Sequence, residues 1–191
     1  MHRIGFQTNL LRPFVDRDAP DFARAARESF GSVGPWLPWC HASYTEQEAL
    51  DWFARCRAGE LSGQAFEFGI FSTSDGELLG GAGLNQINPQ HGICNLGYWV
   101  RKSRQRQGIA SGSARALAQF GFDSLQLQRI EIVAAFGNEP SAAVARKAGG
   151  QLECLARNRL RIGGVAVAAL VFSLVPGQVA APVAAPAGRS Q

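Results

Sequence analysis

The sequence predicts an α+β fold of three layers, with helices on both faces of a mixed, mostly antiparallel central sheet of about six to seven strands. Three observations predict it. Apolar residues follow a helical period up to residue 56, alternate between 66 and 100, and return to a helical period from 109. The pair Asp75-Gly76, set between two alternating runs, marks a hairpin. A strand, a helix and another strand follow one another between residues 93 and 136, and a helical crossover returns the chain in the direction it left, so those two strands are parallel.

Taken in order, residues 6–13 form a first strand, and Asp18 caps a first helix whose Phe22, Ala26 and Phe30 share one face. After a turn-rich stretch, Thr45-Glu46-Gln47-Glu48 reads as a capping box. It opens a second helix in which Ala49, Trp52, Phe53 and Cys56 fall at i, i+3, i+4 and i+7. Phe66, Phe68 and Ile70 alternate with Glu67 and Gly69, and residues 78–87 and 93–100 complete an antiparallel meander. Gly80, Gly81 and Gly83 read as strand bends or bulges, too far from a helix start to be a dinucleotide fingerprint. Ile109, Ala116, Leu117 and Phe120 line one face of a third helix. Residues 129–136 make a buried strand, residues 139–148 a last helix, and strands near 151–159 and 165–175 close the sheet.

A chain of 191 residues with 46% apolar and 18% charged content suits one domain, expected over residues 1–175, followed by a flexible Ala/Pro-rich tail over 176–191. No apolar run approaches the roughly 20 residues of a membrane span, and the first residues lack the pattern of a secretory leader. A soluble cytoplasmic protein, monomer or homodimer, with no membrane partner is the expectation. Four scattered cysteines without a C-x-x-C pair argue against a disulfide framework and a metal site, and read as buried thiols. The net charge of +4 is spread along the chain apart from a cluster at 101–106, which argues against nucleic acid. The absence of Gly-Lys-Ser/Thr excludes a P-loop nucleotide triphosphatase.

The stretch Gln105-Arg106-Gln107-Gly108-Ile109-Ala110 links a strand-like Leu96-Gly97-Tyr98-Trp99-Val100 to a helix. Such a loop aims unpaired backbone amides and the positive end of a helix dipole at one point, where a phosphate is favoured. Arg101, Lys102, Arg104 and Arg106 stand around it as further phosphate contacts. The pattern Q-x-x-G-x-A after this strand resembles the acyl-CoA loop of the GNAT superfamily of acetyl-CoA-dependent N-acetyltransferases. Asn138-Glu139-Pro140-Ser141, followed by Ala143, Lys147 and Gly149, is similar to that family's later Asn-x-x-Ser/Ala helix. Softer likenesses in Leu10-Leu11-Arg12-Pro13, Pro35-Trp36-Leu37-Pro38-Trp39 and Gln151-Leu152-Glu153 with Arg157 point to the branch of ribosomal-protein N-terminal (alanine/serine) acetyltransferases.

The resemblance implies a V-shaped splay between the two parallel strands, with acetyl-CoA as co-substrate in the gap and no metal. Backbone groups of Tyr98, Trp99 and Val100 would hold the pantetheine arm and polarise the thioester carbonyl. The loop from Gln105, Arg106 and Gln107 through Gly108, Ile109, Ala110 and Ser111 would hold the pyrophosphate, and Asn138 and Ser141 would lie near the sulfur. Where the family often carries a glutamate before Leu-Gly-Tyr this chain has Asn95, and where it often carries an acid tyrosine this chain has Ala145. Glu67 and Glu131 remain as base candidates, against the alternative that each only faces solvent. Ser141 is the candidate acid, against a first-turn role in its helix. Trp36, Trp39 and His41 would wall the acceptor site or pack in the core, and His41 is a further base candidate. The position usually held by phenylalanine is Gly150, which would leave a gap unless Phe136 or Leu152 fills it.

A missing base bears on the acceptor. An α-amine with pKa near 7.7–8.0 is roughly 10–15% neutral at pH 7, whereas lysine at about 10.4 is neutral below one part in a thousand. The expectation is transfer to the N-terminal α-amine of a protein or peptide. Transfer to a small amine (antibiotic, polyamine or amino acid) and a non-catalytic acyl-CoA-binding module are the alternatives.

Overall fold

The computed structural model describes residues 2–177; most of the expected tail, 178–191, lies outside them. Eight strands form one sheet in the order β1-β2-β3-β4-β5-β6-β8-β7. They are β1 (Ile4–Phe6), β2 (Asn9–Arg12), β3 (Phe66–Ser72), β4 (Leu78–Asn88), β5 (Ile93–Val100), β6 (Arg129–Ala135), β7 (Gln151–Ile162) and β8 (Val165–Leu174). All neighbours are antiparallel except β5 and β6. The helices are α1 (Ala19–Val33), α2 (Glu46–Ser62), α3 (Ile109–Asp123) and α4 (Glu139–Lys147). The alternation of β3–β5 divides the core. Phe68, Ile70, Ala82, Leu84, Leu96 and Val100 pack with α3 and α4 on one face. Phe71 and Leu78 pack with Phe14, Phe22, Phe53 and Cys56 beneath α1 and α2 on the other.

The three layers, the meander and the parallel pair are those expected. The strand count exceeds expectation because residues 6–13 are not one strand: Gln7, at φ 49°, turns the chain so that Phe6 pairs with Asn9. Asp18 does not cap α1; its carboxylate accepts from Arg12 Nη1 at 2.7 Å, from Arg12 Nη2 at 2.8 Å and from the Val15 amide at 2.9 Å. Phe22 and Ala26 are buried as expected, while Phe30, in the last turn of α1, is 46% exposed. The capping box at Thr45 forms, with Glu48 Oε2 accepting from the Thr45 amide at 2.8 Å. Cys40, Cys56 and Cys94 are buried, but Cys154 lies exposed on the edge strand β7. Among the described residues no helix is long and apolar enough to cross a membrane.

The Gly150 expectation needs correction. A side chain there would meet the Ala145 carbonyl at 2.9 Å and Phe172 Cβ at 3.3 Å, so no gap is left to fill. Phe136 and Leu152, the expected fillers, are 61% and 45% exposed, and Phe172 from β8 occupies the space instead.

Candidate active site

The parallel register of β5 and β6 runs only from Ile93–Arg129 to Asn95–Glu131. Beyond Asn95 the strands part, leaving backbone groups of residues 96–100 and 132–135 without a ladder partner across the gap. A cleft of about 1290 Å³ runs along this opening, lined by both strand ends, the loop before α3, the start of α4 and the segment before α2. That exceeds the roughly 300–1,000 Å³ of ordinary ligand pockets, giving room for a long co-substrate and an acceptor together.

At one end lies the loop. Arg106 and Gly108 adopt left-handed backbone at φ 63° and 79°, and Gly108 is the N-cap of α3. Nothing stands within 4 Å of where a Gly108 Cβ would be, and Ile109, Ala110 and Ser111 of the first turn of α3, whose amides have no intrahelical partners, line the cleft. Such a cradle fits a pyrophosphate. Gln105 instead ties the loop to β5 and α1, its Nε2 donating to the Val100 carbonyl at 3.0 Å and to Ser32 Oγ at 3.1 Å. Ser111 Oγ donates to the Gly108 carbonyl at 3.0 Å. The expected ring of four phosphate-binding cations is halved. Arg101 is buried, with Glu28 at 2.7 Å, Glu77 at 3.1 Å and Asp21 at 3.4 Å, and Arg104 pairs with Glu77 at 2.6 Å. Their carboxylate partners on α1 and before β4 lie far apart in sequence, so composition alone suggested free charge.

In the middle, Asn138 caps α4 by accepting from the Ser141 amide at 3.2 Å. Tyr98 OH donates to the Ser141 carbonyl at 2.9 Å and lies 3.1 Å from Ser141 Oγ, so the serine hydroxyl can donate back to the phenol. Burial pushes the Tyr98 phenol up to about 12 against the opposing hydrogen bond from Ser141, and it stays protonated at neutral pH.

The acceptor end is polar and small-residue-rich. Glu67 on β3 stands opposite Gly83 on β4, which stands opposite Gly97 on β5. The Glu67 side chain leans over Gly83, where a Cβ would come within 1.8 Å of its Oε2. With strands about 4.8 Å apart, the carboxylate lies within one strand spacing of β5. Asn85 Nδ2 donates to Glu67 Oε1 at 2.9 Å, and Asn95 Nδ2 donates to Asn85 Oδ1 at 2.9 Å. Burial raises the Glu67 carboxyl above its ordinary value, and the Asn85 bond opposes this in part. Glu131 is engaged instead: Arg129 donates to it at 2.9 and 3.1 Å, and Arg159 lies 3.7 Å away.

Trp36, Trp39 and His41 all line the cleft. Trp39 packs edge-on against Trp99 at 5.4 Å between ring centres, and Trp99 in turn covers Gly81. His41 lies 2.9 Å from Glu48 Oε1 through Nε2 and 3.2 Å from Ser43 Oγ through Nδ1, so both ring nitrogens already have partners.

Sequence reasoning missed the roles of Asn85, Gly81 and Gly83, and the reach of Arg159 and Arg161 from β7 into the cleft. A signal existed for the first three. Positions 81, 83 and 85 alternate on one face, the face of Glu67 and Asn95, so only Gly80, at φ 156° beside a register shift, is a bend of the kind expected.

A strand pair that splays, a left-handed glycine opening a helix in the gap, and a long cleft along the opening together describe an acyl-CoA transferase site. The profile described as "Acetyltransferase (GNAT) domain" matches residues 9–151. The chain belongs to the GNAT acetyltransferase family. It is an acetyl-CoA-dependent N-acetyltransferase, and the cleft residues fit that co-substrate. The "Putative ribosomal N-acetyltransferase YdaF" of Bacillus subtilis (strain 168) is 31% identical over 170 residues, 86% of this chain and 90% of that one. A solved structure described as a "putative ribosomal-protein-serine acetyltransferase from Vibrio cholerae" superposes with a TM-score of 0.79 at 30% identity, covering 92% of this chain and 98% of the other. The fold is also that of a RimL ribosomal L7/L12 α-N-protein acetyltransferase in complex with coenzyme A, at TM-score 0.83 and 23% identity over 91% of this chain and 98% of that one.

Proposed function

We propose that this acetyltransferase modifies the N-terminal α-amine of a protein or peptide, with Glu67 as proton acceptor and the Tyr98–Ser141 pair as proton donor. The observation that carries the acceptor class is the charge of the cleft. Apart from Arg106 of the phosphate loop and Arg104, which pairs with Glu77, Arg55, Lys147, Arg159 and Arg161 line it against the carboxylates Glu48, Asp51 and Glu67. A polyamine or polycationic antibiotic needs an acidic pocket, whereas a peptide backbone with one terminal amine does not. Two similar proteins carry ribosomal-protein acetyltransferase names, which agrees with a protein acceptor.

Acetyl-CoA supplies the acyl thioester, and the chain's own groups do the rest. Trp36 and Trp39 wall the approach of the peptide, and the open backbone at Gly97 lets its terminus lie close to β5. The Glu67 carboxylate, raised by burial and without an ion partner among the described residues, takes the amine proton directly or through one water. The Tyr98 phenol turns from the Ser141 carbonyl to give its proton to the leaving sulfur, the Ser141 hydroxyl donates a hydrogen bond to the phenolate that forms, and solvent restores the proton.

The test is thiol release from acetyl-CoA with short peptides whose N-terminus is free or blocked, beside a panel of small amines. Release confined to free N-termini is expected. Release from small amines with none from peptides would overturn the acceptor class.

A further inference from the structure

We infer that Asn95 and Asn85 form a two-amide relay across β5 and β4 that positions Glu67 and holds one carboxylate oxygen so that the other faces the acceptor. The inference rests on the reading of Glu67 as proton acceptor. The relay is directional. Asn95 donates to the Asn85 oxygen, which fixes that amide with its NH₂ toward β3, where it donates to Glu67 Oε1; both bonds are 2.9 Å. Oε1 is thereby anchored, while Oε2 lies over the bare Cα of Gly83.

The three side chains span adjacent strands on one face, Asn85 pairing in register with Asn95 and Glu67 lying two residues along from that rung, against Gly83. Glu67 on β3 is thus two strands from Asn95 on β5, and the Asn85 amide on β4 bridges the interval. The anchoring bond also favours the ionised form that a proton acceptor needs, against the burial that disfavours it. Other groups around Glu67 do not replace it. Cys56 on α2 is a buried thiol, and burial together with the Glu67 charge pushes its titration far up. Glu48, Asp51 and Arg55 of α2, and Arg159 and Arg161 of β7, line the cleft without an ion pair to Glu67 among the described residues.

The test follows the protonated-carboxyl stretch that wild type shows and Glu67→Gln lacks, by pH-difference infrared spectroscopy, beside kcat with a free N-terminal peptide. Asn85→Leu removes the donor at similar size, and Asn95→Leu removes only the bond that orients Asn85, so one variant remains informative if the other folds poorly. Loss of a hydrogen bond to an ionised group predicts an upward shift of the midpoint of about one to two pH units in Asn85→Leu, and a smaller one in Asn95→Leu. In both, kcat at pH 7 falls and recovers as pH rises. A merely structural role would lower the melting temperature and leave the midpoint in place. An unmoved midpoint in Asn85→Leu overturns the relay while leaving Glu67 as base; an unchanged kcat in Glu67→Gln overturns the base reading and the relay with it.

Discussion

Replacing Gly83 by alanine displaces the Glu67 carboxylate without touching Glu67. A Cβ at residue 83 would stand 1.8 Å from Glu67 Oε2 and 2.3 Å from Cδ, whereas ordinary contact begins near 3.4 Å. The carboxylate must retreat by about 1.6 Å, which carries Oε1 beyond hydrogen-bond range of Asn85. Misplacement on this scale costs about 10²-fold or more in a step that depends on an oriented base. The fold tolerates the change, because the obstructing atoms are the far end of a flexible side chain and Gly83 has no left-handed backbone. Alanine in a strand gains about 0.5–1 kcal/mol over glycine, against about 1.5–3 kcal/mol for a lost bond to a carboxylate. A melting temperature lowered by only a few degrees follows. The assay is kcat/KM by thiol release with a free N-terminal peptide, beside a thermal melt. Turnover within twofold of wild type would refute the reasoning, as would full additivity of Gly83→Ala with Glu67→Gln.

Three further outcomes are expected. Glu67→Gln lowers kcat/KM by about 10²–10⁴-fold without lowering stability at pH 7; a carboxyl raised in the folded state loses stability as pH rises from 4.5 toward its folded value, and the amide is spared that loss, as melts against pH would record. Arg101→Met leaves Glu28 without its ion partner, while Asp21 keeps Arg24 and Glu77 keeps Arg104, and destabilises by about 2–3 kcal/mol in denaturant titration, below the 3–5 of fully buried pairs because the carboxylates are about a quarter exposed. Burial would raise Glu28, but hydrogen bonds from Arg101 and Ser103 hold it down to about 2, so its contribution is complete above 4.5 and lost toward 2; Arg101→Met flattens that acid limb. Tyr98→Phe lowers kcat more than KM in steady-state kinetics, and Ser141→Ala has a smaller effect, because the phenol and not the serine is taken as the direct donor.

The layers, the meander and the parallel crossover were legible because each rests on local period, and the turn at Gly108 because a glycine between strand and helix permits the left-handed backbone found there. What stayed hidden depends on register. Whether Glu67 met solvent or a cleft could not be decided until β3 was set against β4, since one position of slip reverses every side chain. Arg101 and Arg104 looked like phosphate ligands because their partners Glu28 and Glu77 come from elements distant in sequence. Gly150 looked like a gap because Phe172, which fills it, lies on the neighbouring strand pair.

The central claim is tested most directly with one peptide carrying both a free N-terminus and an internal lysine, incubated with acetyl-CoA and the protein, the acetyl group then located by fragmentation mass spectrometry. The account predicts acetylation of the α-amine, absent in the Glu67→Gln protein. Acetylation of the lysine ε-amine, or equal labelling by the Glu67→Gln protein, would contradict it.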